Sequence, residues 1–482
     1  MRKSGEVRKL LGSWRAAMPL LTLSGCMVGP AYEGPPATQL HGIQQPRAAD
    51  VPRPVAAALD VWWTGFNDPV LTRIVERALR QNLDLAAAVT RVDEARAAAL
   101  EAGARLLPQG ELEASVDQLH QSLTGPIGAI AHDLPGYHRN QRLYDAGVEA
   151  GWEIDLFGGL KRAAEAARDE AQVARSEQMV LRVSIVAEAA DAYFQVRGDQ
   201  ARLVIAQSSV DNDLQLLGLI RLRLAKGASS DKEVAQAEAL WAQARATIPP
   251  RSAALAIQLN RLDVLMGAPP GTYAAELSQP AAIPNTPAIP VDQDASDLLR
   301  RRPDIIAAER RLAASNARIG MAVAEYYPKI SLAGALGFDG LSAGRFLSAE
   351  SFQPQAMAGL RWRVFDFGRV DAEVAQANSA HARALLAYRQ SVLRAAEDVE
   401  NAFTSLAQLQ IEIQELTDEV AALRRARDTS QALYLAGASS LTDVLDAERE
   451  SLAAQDELAQ ARADSARSAV TSFRALGGGW KM

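Results

Sequence analysis

The amino-acid sequence predicts a mainly α-helical protein with a transmembrane β-barrel, in which each protomer carries a tandem duplication, four strands and long coiled-coil helices. Three observations support this fold class: a sequence repeat, four segments with strand-like alternation, and two long stretches almost free of Gly and Pro. The 482 residues are 48% hydrophobic but only 5% aromatic. Such a composition suits thin, Ala-rich helical bundles better than one thick globular core.

The charge and hydropathy patterns exclude two common classes of protein. The formal net charge is -7, and no basic stripe interrupts the acidic balance. This argues against a nucleic-acid partner, which needs clustered Lys and Arg for phosphate contacts. No stretch of 18 apolar residues occurs, so an ordinary transmembrane helix is not expected. If the chain crosses a membrane, it must do so with strands.

The N-terminus has the pattern of a lipoprotein signal peptide. Residues 1–25 begin with a basic region, continue with a short apolar run and end at Leu23-Ser24-Gly25, directly before Cys26. We expect Cys26 to carry a covalent lipid, a diacylglycerol with an additional N-acyl chain, after cleavage. The alternative is a buried free thiol, which packs as a small hydrophobic residue. Cys26 is the only cysteine, so no internal disulfide is possible.

The chain is a tandem duplication. Residues 78–85 align with 298–305, and Pro108 aligns with Pro328, at an offset of 220. At an offset of 210, residues 152–158 and 227–230 match residues 362–368 and 437–440. Each repeat is predicted to run helix, strand, strand, long helix, turn, helix. The predicted organisation is a signal peptide (1–25), an N-terminal segment (26–75), a first repeat (76–267) with a hairpin at 109–155, a Pro-rich linker (268–296), a second repeat (297–472) with a hairpin at 329–365, and a C-terminal segment (473–482).

Four segments alternate with the period of a β-strand. In residues 144–155 every even position is apolar and every odd position is acidic or glycine, which gives one apolar and one polar face. Similar alternation occurs at 111–117, 329–338 and 360–364. About ten residues is the length that a tilted strand needs to cross a bilayer. The alternative is a soluble antiparallel sheet. The presence of four such strands in two hairpins favours membrane-spanning strands over this alternative.

Four strands cannot close a barrel, and open strand edges are not tolerated in hydrocarbon. The protomer is therefore expected to form oligomers. A trimer would supply twelve strands, although the strand count alone also permits a dimer or a tetramer.

The helices are expected to form long coiled-coil columns. Residues 369–436 contain neither Gly nor Pro. Residues 160–226 contain no Pro, and their only glycines are Gly198 and Gly218. A helix of this length extends roughly 100 Å at 1.5 Å per residue. Apolar residues recur at helical spacing between Glu, Arg and Gln, as in coiled-coil seams. Taken alone, these helices would also fit an ordinary coiled-coil scaffold.

Five motifs in this order resemble the TolC/OprM-type outer membrane factor lipoproteins of tripartite RND-type efflux systems. They are Cys26–Tyr32, Trp62–Leu71, Arg302–Glu309, Asn316–Gly320 and Ala475–Trp480. The resemblance runs from Cys26 to the C-terminus. It implies a homotrimer with a twelve-stranded barrel, a twelve-helix periplasmic barrel, and an equatorial collar formed by the termini and the linker.

The resemblance also implies partners. These are a periplasmic adaptor (membrane fusion) protein, an inner-membrane RND-type transporter and outer-membrane lipid. The repeated turns at Gly227 and Gly437 match the tips that contact the adaptor, and Gly suits a tight turn because it adopts positive φ. A purely structural turn is the alternative.

The same resemblance points to a periplasmic gate. Asp443 and Asp446 match the acidic rings at the family's constriction, Tyr434 matches a gating tyrosine, and Glu233 takes the acidic position in the first repeat. Asp443 and Asp446 are three residues apart, hence on one helical face. In a trimer each would form a ring of carboxylates that attracts cations. The alternative is an ordinary solvated helix face.

No motif for catalysis or metal binding is found. The sequence lacks a phosphate-binding GxxxxGK[ST] loop, an HExxH motif and a nucleophile elbow, so neither an enzyme nor a cofactor is expected. The expected function is a passive exit duct for small molecules in the outer membrane, lipid-anchored and extending into the periplasm. A periplasmic coiled-coil lipoprotein scaffold and a protein-secretion duct of the same fold are the alternatives.

Overall fold

The computed structural model describes residues 27–35, 58–289 and 301–481. Cys26, the predicted signal peptide (1–25) and residues 290–296 of the predicted linker lie outside the described residues. Within the described ranges the chain is mainly helical and carries one four-stranded antiparallel sheet. The predicted combination of long helices with four strands is thereby confirmed.

The two halves of the described chain share a common order of elements, to which the first half adds three helices. In chain order the elements are a 3-10 helix (Leu59–Phe66), α1 (Pro69–Gln81), α2 (Leu83–Ala104), β1 (Gln109–His120), α3 (Pro126–Ala131), β2 (Asn140–Ile154), α4 (Gly159–Ala225), α5 (Asp231–Leu265), α6 (Pro303–Ala324), β3 (Lys329–Gly340), β4 (Phe352–Arg361), α7 (Arg369–Leu435) and α8 (Leu441–Ala475). In each half, a helix leads into two strands, a long helix, a short turn and a return helix. The elements that the first half adds are the 3-10 helix, α1 and α3.

The helices of the two halves also have equal lengths. The long helices α4 and α7 contain 67 residues each, and the return helices α5 and α8 contain 35 each. Gly198, inside α4, allows a close approach, since an added Cβ would lie 2.7 Å from the Ala463 Cβ of α8. Among the described helices, none is both long enough and apolar enough to span a lipid bilayer.

Two of the predicted segment boundaries fall inside helices. Helix α1 begins at Pro69 because the Asp68 side chain accepts hydrogen bonds from the Val70 and Leu71 amides, so the boundary at residue 76 lies within it. Helix α8 continues to Ala475 and is followed by Gly477 at φ 70°, so the boundary at residue 473 lies within that helix. A positive-φ glycine just past the last turn is a common helix stop.

The strands lie in the order β1-β2-β3-β4, and all neighbours are antiparallel. The central pair, β2 and β3, joins the two repeats, while β1 and β4 form the edges of the described sheet. Strand β4 ends at Arg361, opposite Lys329. The prediction that Trp362 and Val364 belong to this strand is wrong, because β3 begins at Lys329 and offers them no partner.

The two faces of the sheet differ sharply in character. The register pairs even-numbered residues with even-numbered ones, for example Leu112 with Val148 and Val148 with Leu336, so apolar side chains share one face. The opposite face is rich in acids, namely Glu111, Glu113, Asp117, Asp145, Glu149, Glu153 and Asp339. Leu112 is 78% exposed and Leu336 is 61% exposed. The apolar face is therefore not covered by the described chain.

The described residues form two compact units, each with parts of both repeats. The first comprises residues 27–35, 93–172 and 309–386 and holds the sheet. Its N-terminal segment is held by hydrogen bonds, among them one from the Val28 amide to the Phe157 carbonyl at 3.1 Å and one from Asn316 to the Pro30 carbonyl at 3.0 Å. Gly29 also lies close to Gly320, since an added Cβ at Gly29 would lie 2.5 Å from the Gly320 Cα.

The second unit comprises the described residues of 58–92, 173–308 and 387–481 and contains the main hydrophobic core. Trp62 stacks on Phe473 with 5.1 Å between ring centroids. The buried Arg302 guanidinium donates to Asp304 at 2.8 Å, to Asp398 at 2.9 Å and to the Ala475 carbonyl at 3.1 Å. The motifs at Trp62 and Arg302 thus build the core of this unit.

Candidate gate at the two helix turns

The predicted tips are two equivalent turns between long helices. After α4, the Gly227 amide donates to the Leu224 carbonyl at 2.9 Å, and the Ala228 amide donates to the Arg223 carbonyl at 2.8 Å. The same pair of bonds follows α7, from Gly437 to Tyr434 and from Ala438 to Leu433. This is the Schellman pattern of helix termination.

Both glycines of these turns have positive φ, 72° at Gly227 and 76° at Gly437. An added Cβ would meet no atom within 4 Å at either position. The left-handed backbone of the turn, and not lack of space, is therefore what favours glycine here.

Two of the predicted gate acids complete capping boxes at the start of the return helices. The Glu233 carboxylate accepts from the Ser230 amide at 3.0 Å and from the Ser229 hydroxyl at 2.6 Å, while the Ser230 hydroxyl accepts from the Glu233 amide. Such reciprocal bonding satisfies two backbone donors at a helix start. The hydrogen bonds hold the pKa of the Glu233 carboxyl below its ordinary value.

Asp443 repeats this arrangement at the start of α8. Its carboxylate accepts from the Ser439 hydroxyl at 2.8 Å and from the Ser440 amide at 3.0 Å. These hydrogen bonds hold the pKa of the Asp443 carboxyl below its ordinary value, so it is ionised at neutral pH. Asp446, one turn further on, is exposed and accepts from Arg449 at 3.0 Å. Both acids therefore present their charge on an exposed part of α8.

Tyr434, by contrast, is buried and belongs to a small core that both turns share. This core contains Leu216, Leu217, Ile220, Ala237, Leu441 and Val444. Burial, and then the nearby Glu233 carboxylate, raise the pKa of the Tyr434 hydroxyl. Tyr434 thus fixes the end of α7 against α4, α5 and α8.

Arg223 is a contact of Tyr434 that the sequence patterns did not reveal. Its guanidinium lies 4.6 Å from the centroid of the Tyr434 ring and donates to the Tyr434 carbonyl at 3.1 Å. It joins the end of α4 to the end of α7 by a cation–π contact and a hydrogen bond. The repeat gives no hint of it, because Leu433 occupies the equivalent position.

A second feature missed from the sequence is a buried pair of acids farther along the same helices. Asp213 of α4 is 2% exposed, and Glu448 of α8 is 8% exposed. Burial, reinforced by the charge of Glu448, raises the pKa of Asp213 to about 7. The pKa of Glu448 is also raised by burial, against the opposing charge of Arg427, whose Nε lies 3.7 Å away.

The structure brings Tyr434, Arg223 and Glu233 together at the paired turns, while Asp443 and Asp446 lie along the exposed start of α8. Cys26 lies outside the described residues. Within the residues that the structure describes, no cluster of His, Cys, Asp or Glu has the arrangement of a metal site. The candidate site is therefore a pair of hydrogen-bonded helix turns with negatively charged side chains at the start of the return helices.

The sequence matches the family described as "Outer membrane efflux protein" over residues 74–268 and 295–478. It is 31% identical over 473 residues to the pyoverdine export outer membrane protein OpmQ of Pseudomonas aeruginosa, covering 96% of this chain and 97% of OpmQ. It is 29% identical to the toluene efflux pump outer membrane protein TtgI of Pseudomonas putida over 479 residues, 96% of this chain and 97% of TtgI.

Comparison with solved structures also identifies the chain as an outer-membrane channel. The solved structure of the outer-membrane channel OprN superimposes with a TM-score of 0.84 and 34% sequence identity, covering 94% of this chain and all of that one. The outer membrane efflux protein family consists of transport channels and not of enzymes. The chain belongs to the outer membrane efflux protein family and is an outer-membrane channel of efflux pumps.

Proposed function

We propose that the chain acts as a lipid-anchored homotrimeric exit duct, which passively conducts small molecules from a periplasmic pump assembly through the outer membrane. The observation that carries the proposal is the incomplete sheet. Its apolar face is exposed and its edge strands are unpaired within the described residues. Three copies would supply twelve strands, close the edges and turn the apolar faces toward lipid.

Lipid attachment at Cys26 fits the position of the residues that follow it. An added Cβ at Gly158 would lie 2.6 Å from the Met27 Cγ, and Gly158 comes shortly after the end of β2. Met27, the residue after Cys26, therefore lies near the end of a strand that is proposed to span the membrane. A diacylglycerol and an N-acyl chain on Cys26 are proposed to anchor this part of the chain to the outer membrane.

The gate is proposed to lie at the helix turns, with Asp443, Asp446, Tyr434 and Glu233 as its residues. Three-fold repetition would place fixed carboxylates in rings around the conduit, where they would favour cations. Tyr434 would act differently from the acids, because it is buried and holds the end of α7 in place.

The turns at Gly227 and Gly437 are the proposed contacts of a periplasmic adaptor, which would connect the duct to an inner-membrane RND-type transporter. Their backbone is exposed and held by the turn hydrogen bonds, which suits recognition by another protein. The similarity to a pyoverdine exporter and a toluene efflux component supports small organic molecules as cargo.

A conductance measurement with charge-neutral gate variants tests this function. In planar bilayers, the double variant Asp443→Asn/Asp446→Asn should give larger single-channel conductance and weaker cation selectivity than the wild type. Asparagine keeps an oxygen that can accept the capping hydrogen bond of α8 while the carboxylate charge is removed. Glu450→Gln, at an exposed position of the same helix, is the matched control and should behave as the wild type.

Light scattering in detergent measures the oligomeric state of the same preparations. Unchanged conductance and selectivity in folded trimers of the double variant would contradict the gate. A monomeric wild-type chain without conductance would contradict the duct itself.

A further inference from the structure

The buried acids Asp213 of α4 and Glu448 of α8 lack the partners that buried polar groups normally have. Both side chains are almost completely buried. Neither carboxyl oxygen of Asp213 has a hydrogen-bond partner among the described residues, and Glu448 Oε1 has none either. Such groups are rare in folded proteins because an unpaired polar atom in the interior is costly.

The acid pair is not a by-product of the duplication. At the offset of 210, Asp213 corresponds to Leu423 of α7, which packs against a hydrophobic cluster. Glu448 corresponds to Glu238 of α5, which pairs with Arg221 at 2.6 Å. The equivalent positions thus hold one apolar residue and one neutralised acid, and they contain no pair of acids.

Glu448 has a cationic neighbour on α7. The Arg427 Nε lies 3.7 Å from the Glu448 Oε2. The same guanidinium donates to Asp428 at 2.7 Å and 2.9 Å, so its charge is divided between two carboxylates. From α4, the uncharged Asn212 side chain also faces Glu448.

Asp213 has no comparable compensation. From α4 itself, the uncharged Ser209 side chain faces it. On α5, Trp241 packs against the small core that both turns share, and the Arg245 guanidinium lies 4.7 Å from the centroid of its ring. Among all these groups, Glu448 is the one whose charge acts on Asp213.

One proton would resolve this arrangement. Two ionised carboxylates cannot be buried together without a large cost in free energy. A protonated carboxyl can donate a short, strong hydrogen bond to an ionised one, and the proton then belongs to the pair. In agreement, burial and then the charge of Glu448 raise the pKa of Asp213 to about 7.

The pair lies next to the core of the proposed gate. Asp213 is about one helical turn from Leu216 and Leu217, and Glu448 is about one turn from Val444. These three apolar residues belong to the small core that both turns share, together with Tyr434. A change in the distance between α4 and α8 at the acid pair would therefore act directly on the gate.

We propose that Asp213 and Glu448 share one proton and form a pH-sensitive latch between α4 and α8, which keeps the gate closed at mildly acidic pH. In the closed state the protonated carboxyl donates to the ionised one. Opening separates the two helices at this level, lets water reach both carboxylates and releases the proton to water. The inference rests on the proposed gated duct and adds a proton as its effector.

The direction of the pH response follows from the two states of the gate. In the open state both carboxyls are hydrated and titrate near their ordinary values of about 4. The closed state binds the proton more tightly, so its extra stability is complete below that pH and is lost as the pH rises through about 7. Release of one proton makes the ratio of open to closed time rise by up to about tenfold per pH unit in this range.

Single-channel recordings of the full, purified chain in planar bilayers test the latch. Between pH 5 and pH 7 the wild type should spend a steeply increasing share of time open. Asp213→Asn should remove this response and stay closed, because the amide can donate to Glu448 at every pH. Asp211→Asn and Glu450→Gln, exposed changes on the same two helices, are the matched controls and should keep the wild-type response.

An Asp213→Asn variant with the pH response of the wild type would overturn the latch and leave the duct intact. A wild type that conducts equally at pH 5 and pH 7 would have the same meaning. A wild type that never conducts would overturn the proposed duct and, with it, the latch.

Infrared spectra of the reconstituted protein locate the shared proton without recording conductance. At pH 6 the wild type should show the C=O band of a buried protonated carboxyl, which should disappear by pH 8 and be absent from Asp213→Asn. The Asp211→Asn control should retain the band. Identical carboxyl bands in the wild type and Asp213→Asn at pH 6 would show that the pair holds no proton, and would overturn the proposal.

Discussion

Glu233 and Asp443 combine a structural role with charge. Each carboxylate caps a return helix, and each has a pKa held below its ordinary value by hydrogen bonds to Ser side chains and backbone. Their charge is consequently constant across the physiological pH range. A gate built from them would respond to contacts with partners or to cations, and not to modest changes of pH.

Asp213 behaves in the opposite way, because it is buried beside Glu448 and its pKa is raised from 3.8 to about 7. The folded state then binds the proton more tightly than the unfolded state. The stabilising contribution of the protonated form is complete below pH 4 and is lost as the pH rises through about 7. The long helices should therefore pack more stably at mildly acidic than at mildly alkaline pH.

We predict that Asp213→Asn raises the melting temperature of the detergent-solubilised protein at pH 8 by several degrees and raises it clearly less at pH 5. The amide removes the cost of ionising a buried group beside another acid. Asp211→Asn, an exposed change on the same helix, should alter neither value. A gain at pH 5 as large as the gain at pH 8 would contradict the assigned titration of Asp213.

At the scale of elements, the equal lengths of the paired helices place the two turns at equivalent points of the repeats. Each long helix is stopped by a glycine in the left-handed region, and each return helix starts with a capping box. These signals are local in sequence, so the ends of these helices could be predicted closely. The start of α1 was also encoded locally, by Asp68 and Pro69, but the predicted boundary did not use this signal.

Gly227→Ala and Gly437→Ala should each lower the stability of the helix turn by about 1 kcal/mol, because alanine is strained at positive φ. Gly218→Ala, at an exposed position inside α4 with open space around it, should instead stabilise the helix by up to about 1 kcal/mol. Thermal melting of the three variants provides the comparison. A stabilising effect of alanine at either turn would show that the left-handed backbone is not required there.

At the scale of the whole molecule, the sheet is the part that a single chain leaves unfinished. A soluble four-stranded sheet would bury one face against helices, whereas no strand residue on either face is buried here. Lipid on one side and water on the other would account for this pattern. The proposed lipid on Cys26 would then be an additional anchor and not the sole means of membrane attachment.

We predict that Cys26→Ser abolishes lipid attachment but preserves the oligomer and its conductance. Intact-mass spectrometry should show that the wild-type chain carries the mass of a diacylglycerol and an acyl chain, and that the variant does not. Light scattering and planar-bilayer recordings of the same variant test assembly and conductance. An unmodified mass for the wild type would contradict lipidation, and loss of trimers in the variant would contradict the secondary role of the anchor.

The features that depend on local pattern could be predicted without the structure: the duplication, the long helices, the alternating strands and the two glycine turns. Each follows from spacing, capping residues or the absence of Gly and Pro, which act over a few residues. Three features became visible only in the folded chain: the burial of Tyr434 beside Arg223, the burial of Asp213 within the electrostatic influence of Glu448, and the end of β4. These depend on contacts between residues far apart in the chain, and burial alone converts an ordinary aspartate into one that titrates near neutral pH.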